Sequence, residues 1–184
     1  MKNMGLLIFL LFVFLIYIVI VYNGFIKRKL RVKEAWADIE VQLKRRCDLI
    51  PNLVETVKGY MAHEKEVFEK VTESRARVLS STSQKEKLEA DNQLSQTLKT
   101  LFAVAENYPE LKANQNFLEL QKELVNTEDK IQASRRFYNS TVRDYNISLK
   151  VLPNSIFAKI FGFKEEPLFE IEEEREREVP KVEF

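Results

Sequence analysis

The hydrophobic positions divide the chain into an uncharged N-terminal run and a longer region with helical spacing. Residues 4–22 carry no charged side chain, and an apolar run of about 19 residues can cross the ~30 Å hydrocarbon core of a bilayer. A cleaved signal peptide has a shorter apolar region followed by a small-residue cleavage site, but Asn23-Gly24-Phe25-Ile26 follows here. The pattern therefore predicts an N-terminal segment, residues 1–23, that contains a retained transmembrane helix.

Beyond this run, between Trp36 and Leu149, apolar side chains recur mostly at spacings of three or four residues within successive segments, which is typical of one face of an amphipathic helix. Ser83 and Glu86 have the spacing of a capping box, and Pro109 suits the first turn of another helix. The few Gly and Pro residues do not supply the turns of an all-β fold. We therefore predict an all-α chain, in which residues 24–152 form an antiparallel up-and-down bundle of long helices.

Pro51 leaves two versions of this bundle open. Inside a helix, proline costs about 3 kcal/mol and produces a kink, which would leave three long helices. Alternatively, Asp48 caps a new helix that carries Pro51 in its first turn, which gives four. An unbroken helix over residues 24–82 would be roughly 90 Å long, more than twice as long as the helix that follows it. We therefore favour four helices and a break near residues 47–51.

The remaining segment, residues 153–184, has a different character. Residues 156–163 are apolar and aromatic and predict a short helix that Gly162 ends. This element is expected to fold back on the bundle, and the alternative is an exposed patch that binds a partner or a membrane surface. Residues 170–178 are strongly acidic and are expected to form a solvated tail.

The composition narrows the possible chemistry. A net charge of +1 gives no general attraction for nucleic acid. One Cys and one His exclude a disulfide framework and any site that needs several imidazoles. His63-Glu64 resembles the start of a zinc-binding H-E-x-x-H motif, but Val67 occupies the fifth position. We therefore expect no enzymatic activity, no catalytic, cofactor-binding or metal-binding residues, no cofactor and no small-molecule substrate.

Basic residues follow the apolar run directly, whereas only Lys2 and the terminal amine precede it. Because excess Lys and Arg stay on the cytoplasmic side, we expect a single-pass protein of the bacterial inner membrane, with its N-terminus outside and its main domain in the cytoplasm. The cluster lies where anionic lipid headgroups would attract it, and the alternative is that it is only a topology signal. Its members are Lys27, Arg28, Lys29, Arg31 and Lys33.

Residues 35–54 read AWADIEVQLKRRCDLIPNLV, which resembles the signature of the LemA family of bacterial membrane proteins. The further matches follow in family order: VKGY at 57–60, HE at 63–64, AENYPEL at 105–111, LVNTE at 124–128, RRFYN at 135–139 and YN at 145–146. The resemblance implies a single-pass inner-membrane protein with an antiparallel helical-bundle domain. It implies no particular activity.

Several polar residues of these motifs lie close to the apolar seam. We hypothesise that some of them form a buried network of ion pairs between helices, for example Glu128 with Arg135 or Arg45, which would fix helix register. The alternative is that they contact a partner or another copy of the chain. The set comprises Arg45, Asp48, Asn52, Tyr60, Asn114, Thr127, Glu128, Arg135 and Asn139.

These features favour a membrane-anchored, non-enzymatic scaffold or adaptor that acts through helix contacts, by self-association or by binding other envelope proteins. The second reading is a membrane-surface organiser, in which the basic cluster and the aromatic element at residues 157–163 bind anionic lipid. A hydrolase is the third, and it would need a pocket with convergent titratable groups.

Overall fold

A computed structural model describes residues 2–61 and 63–168, with side chains from Met4 onward. Within these residues the chain forms helices and no strand, which confirms the predicted all-α class. The acidic residues 170–178 lie outside the described part of the chain. The helices are α1 (Lys2–Lys58), α2 (Lys65–Ser80), α3 (Gln84–Ala105), α4 (Pro109–Lys112), α5 (Gln115–Lys150) and α6 (Asn154–Ile160).

The helices form two compact units. One unit contains the described residues up to Trp36 and those from Arg135 onward, and the other contains Ala37–Ser134. Both α1 and α5 pass through the two units. The predicted domain boundaries after residues 23 and 152 stay a prediction.

The unit of residues 37–134 is an antiparallel bundle built from α1, α2, α3 and the first part of α5. Ser83 and Glu86 form the predicted capping box at the start of α3, directly after the short connection from α2. Pairs of polar contacts show that α5 runs against α1, since Arg45 meets Glu123 and Tyr60 meets Asn114. The interior holds fully buried side chains from each long helix, among them Ile39, Leu43, Val71, Leu94 and Ile131.

The predicted break near Pro51 is wrong. α1 continues through Pro51 and ends at Lys58, so the break that produces four long helices lies between Lys58 and Lys65. Proline has no N–H to donate to the carbonyl four residues earlier, which is that of Cys47. Here the Arg75 side chain of α2 replaces it, because its Nε donates a 2.7 Å hydrogen bond to the Cys47 carbonyl oxygen. A contact from another helix thus makes proline tolerable inside α1.

The other unit contains the apolar N-terminal part of α1, the last part of α5 and α6. Among the described residues, α1 is the one helix long and apolar enough to cross a membrane. Side chains such as Leu7, Phe12 and Ile20 are about 60% exposed or more, as expected of a helix surrounded by lipid. Further along α1, the Trp36 ring packs edge-on against Tyr138 of α5, with the ring centroids 5.8 Å apart.

Candidate functional site

Two buried charges of the described residues, Arg46 and Asp91, and the partly exposed Glu128 form a cluster that joins three helices. Arg46 of α1 is 3% exposed, and its Nη1 lies 2.9 Å from Asp91 Oδ1 of α3 and 2.6 Å from Glu128 Oε2 of α5. The same nitrogen donates a 2.9 Å hydrogen bond to Ser95 Oγ. We call Arg46, Asp91, Ser95 and Glu128 the arginine cluster. Because its members come from three helices, the cluster connects α1, α3 and α5.

The charged groups of this cluster are paired with each other. A guanidinium group stays protonated in proteins and therefore cannot serve as a general acid or base. The Asp91 side chain is 1% exposed, and its carboxylate is held against Arg46. A buried charge pair costs much of its attraction in lost hydration, but removing one partner leaves the other charge uncompensated. The arrangement therefore links three helices through paired charges.

The predicted polar residues in the unit of residues 37–134 divide into two groups. Thr127 is buried and donates to the Glu123 carbonyl one turn earlier, and Glu128 is partly exposed but pairs with the buried Arg46. Arg45 instead points outward and pairs with Glu123 at 2.8 Å. Asp48 and Asn52 are exposed on α1.

Tyr60 and Asn114 form a second contact between distant parts of this unit. Asn114 Nδ2 donates a 3.0 Å hydrogen bond to Tyr60 Oη, and Asn114 Oδ1 accepts one from the Phe117 N–H. Asn114 thereby caps the first turn of α5 and fastens it to the end of α1.

Arg135 and Asn139 belong to the other unit, where both are partly exposed. Neighbouring residues of α5 hold an extended segment, which we call the strap and define as residues 163–168. Asn146 Nδ2 donates to the Glu166 carbonyl at 2.8 Å, and the Glu166 N–H donates to Asn146 Oδ1 at 3.0 Å. The Asn146 side chain therefore pairs with the strap in the manner of a neighbouring strand.

Two tyrosines extend this attachment along α5. Tyr145 Oη donates to the Lys164 carbonyl at 3.1 Å, and Tyr138 Oη donates to the Pro167 carbonyl at 3.3 Å. Burial, together with the negative charge of Glu166, raises the pKa of both hydroxyls, so they remain donors at neutral pH. The role of Tyr145 and Asn146 is thus to hold the chain that follows α6.

The single thiol and the single imidazole lie apart from any such arrangement. Cys47 is fully buried, and this burial raises its pKa to about 11, although the nearby Arg75 charge acts in the opposite direction. The thiol therefore stays protonated and poorly nucleophilic at neutral pH. His63 is exposed. Among the described residues, no three His, Cys, Asp or Glu side chains are grouped so that they could hold a metal ion.

A model of the LemA family matches residues 35–184, which is most of the chain. The chain belongs to the LemA family. Magnetosome proteins MamQ 1 and MamQ 2 of Paramagnetospirillum magneticum are each 26% identical to it over 175 residues. These alignments cover 81% of this chain but only 64% of each relative, so the chain spans just under two thirds of their length. Protein LemA of Metamycoplasma hominis is 27% identical over 148 residues, covering 79% of this chain and 68% of its own.

Two central residues of the arginine cluster were missing from the predicted set of LemA polar residues. Arg46, rather than Arg45, pairs with Glu128, and Asp91 lies outside the quoted motifs. The helical spacing could have identified Arg46 and Asp91 as buried residues. Arg46 lies three residues after Leu43 and four before Ile50, and both of these residues are buried. A charged residue in a core register position must find a partner, and Asp91 occupies the equivalent position before Leu94.

Proposed function

We propose that this LemA-family chain is a membrane-anchored, non-enzymatic scaffold that acts by presenting its helical bundle to other proteins or to further copies of itself. The candidate span in α1 and the family membership support anchorage. The excess of basic residues after the span supports an inner-membrane location with the N-terminus outside and the bundle in the cytoplasm.

The observation that carries this proposal is the arginine cluster. Its charged groups are drawn from three helices and paired with each other, so they hold the bundle in one register. Catalytic groups instead converge on an accessible pocket, where they can contact a substrate. An interior of this kind suits a bundle whose outer faces bind other proteins.

One candidate outer face lies on the first half of α5. Leu118 and Val125 are 46% and 54% exposed, and their seven-residue spacing places them on the same side of the helix two turns apart. Large apolar side chains that share one exposed face are suited to pack against another helix. We propose this face as the contact with a protein partner, with a second copy of the chain as the simplest case.

The test is photo-crosslinking in native membranes. A photoreactive amino acid is placed at position 118 or 125, and the matched control carries it at Lys130, which is exposed on another side of α5. We expect adducts several-fold more abundant at 118 and 125 than at 130, with mass spectrometry separating a second copy from a different protein. Equal or absent adducts at the three positions would contradict the scaffold proposal, as would turnover of a small molecule by the purified chain.

A second candidate function is organisation of the membrane surface, and the basic cluster favours it. Lys27, Arg28, Arg31 and Lys33 are exposed on α1, and Lys33 lies within roughly 17 Å of the end of the apolar run at 1.5 Å per residue. Lys29 is partly covered and lies 3.7 Å from Glu166 of the strap. Contacts of the four exposed side chains with anionic headgroups would weaken as salt increases, whereas apolar contacts between helices would not.

A further inference from the structure

α6 is attached to the part of α1 that is expected to lie in the membrane. The Phe157 ring of α6 contacts Phe14 and Tyr17 of α1, with ring centroids 6.4 and 5.8 Å apart. Phe157 is 9% exposed and Ala158 is 3% exposed, so this face of α6 is covered. The short helix after Pro153 therefore does not dock on a polar surface but on the apolar run itself.

The position of this contact along α1 gives its depth. Tyr17 and Phe14 lie five and eight residues before Tyr22, the last residue of the run, which corresponds to roughly 7 and 12 Å along the helix axis. If residues 4–22 cross the bilayer, Phe157 lies inside its hydrocarbon boundary. Helices that lie in a membrane interface bury their apolar face about 5–10 Å deep, so the depth of Phe157 fits such a helix.

A second side of α6, next to the covered one, carries exposed apolar side chains. Ile156 and Ile160 are 53% and 68% exposed, and Leu152, just before the helix, is 77% exposed. Together with Phe161 they form an exposed apolar surface, and water would strongly disfavour such a concentration. Because α6 packs on α1 within the apolar run, its exposed apolar side chains lie near the exposed apolar side chains of the run.

The polar groups around α6 have the arrangement of a membrane interface. Tyr22 packs against Phe161 and Phe163, which places three aromatic rings at the end of the run, where such rings are enriched. The one charged residue of α6 is Lys159, which is exposed, and its long side chain can reach the headgroups while its stem stays among apolar groups.

We propose that α6 is immersed in the leaflet at the Tyr22 end of the span, with Phe157 on α1 and with Ile156, Ile160 and Leu152 on the acyl chains of lipids. This proposal rests on the proposed membrane anchorage. It adds a second membrane-inserted element to the chain, and the strap then leads out of the membrane along α5. The chain would thus contact the lipids of this leaflet through two packed helices, α1 and α6, rather than through α1 alone.

The test measures the surroundings of single sites in the full chain, reconstituted in vesicles of phosphatidylcholine and phosphatidylglycerol. In a Cys47→Ala background, one cysteine at position 156 or 160 carries an environment-sensitive fluorophore. The matched controls carry it at Asp144, exposed on α5, and at Phe12, exposed within the apolar run. Quenching by spin-labelled lipids reports acyl chains, and quenching by aqueous iodide reports water.

We expect the labels at 156 and 160 to behave like the label at 12, with strong quenching by lipid and several-fold weaker quenching by iodide than at 144. Iodide quenching at 156 and 160 with lipid quenching at 12 would overturn the proposal and leave the anchor intact. Protection of 156 and 160 from both quenchers would also overturn it, because another part of the chain or a second copy would then cover this face. Absence of lipid quenching at 12 would overturn the anchor itself.

Discussion

Two adjacent arginines of α1 show how strongly a residue's surroundings decide its contribution. Arg46 is 4% exposed at its side chain and pairs with Asp91 at 2.9 Å, whereas the side chain of Arg45 is 47% exposed and pairs with Glu123 at 2.8 Å. The distances are nearly the same, so geometry alone does not separate the two pairs. Burial does, because water screens an exposed pair and replaces a lost partner.

We therefore expect Arg46→Ala to reduce the free energy of unfolding by about 3–5 kcal/mol, since it leaves Asp91 buried without its counter-charge. The matched change Arg45→Ala leaves Glu123 in contact with water and should reduce the free energy of unfolding by only about 0.2–1 kcal/mol. Urea unfolding of the full chain in mild detergent, monitored by the circular dichroism signal of the helices, measures the free energy of unfolding of both variants. Equal losses for the two variants would show that the arginine cluster does not hold the bundle.

Among the elements, α1 depends most clearly on a contact from elsewhere in the fold. Pro51 leaves the Cys47 carbonyl without its helical donor, and Arg75 of α2 supplies a donor instead. Arg75→Met keeps the length of the side chain but removes the donor, and an unsatisfied buried carbonyl costs about 1–3 kcal/mol. We expect a loss of this size in the free energy of unfolding.

A double-mutant cycle gives this prediction its control. In a Pro51→Ala background the backbone N–H of residue 51 becomes available to the Cys47 carbonyl, so Arg75→Met should cost much less than in the natural chain. Urea unfolding of the four chains measures the coupling. Equal costs of Arg75→Met in both backgrounds would mean that Arg75 contributes through packing and not through this hydrogen bond.

The same helices show which features a sequence can predict. The start of α3 is determined by Ser83 and Glu86, which lie three residues apart, and the capping box was therefore predicted correctly. The passage of α1 through Pro51 depends on Arg75, and the pairing of Arg46 depends on Asp91 and Glu128. These partners are distant in sequence, and periodicity alone does not identify which helix meets which. The all-α class and the apolar run follow from local pattern, whereas the contents of the arginine cluster do not.

At the scale of the whole molecule, the apolar run bears on where the bundle of residues 37–134 lies relative to a membrane. Polar side chains make contacts within both units: the arginine cluster joins three helices in residues 37–134, and Tyr138, Tyr145 and Asn146 of α5 hold the strap in the other unit. The proposed anchorage would hold the bundle of residues 37–134 on one side of a membrane, and the charges that flank the span would determine which side.

The orientation can be tested by moving those charges. We expect that changing Lys27, Arg28, Arg31 and Lys33 to Gln, while adding lysines before the run, will invert part of the population, because retention of Lys and Arg in the cytoplasm sets orientation. Lys29 stays unchanged, since it lies near Glu166 of the strap. In a Cys47→Ala chain with cysteine at Asp129, which is exposed on α5, a membrane-impermeant maleimide should label intact spheroplasts only after inversion.

A matched control exchanges Lys for Arg and Arg for Lys at the same four positions. This variant keeps every charge and changes only the side-chain shape, so position 129 should stay protected until the membrane is opened. Labelling of position 129 in intact spheroplasts, in the Cys47→Ala chain whose flanking charges are unchanged, would refute the proposed orientation. Protection of both the neutralised and the exchanged variants would show that the basic residues do not set the orientation, which would leave contact with anionic lipid as their remaining proposed role.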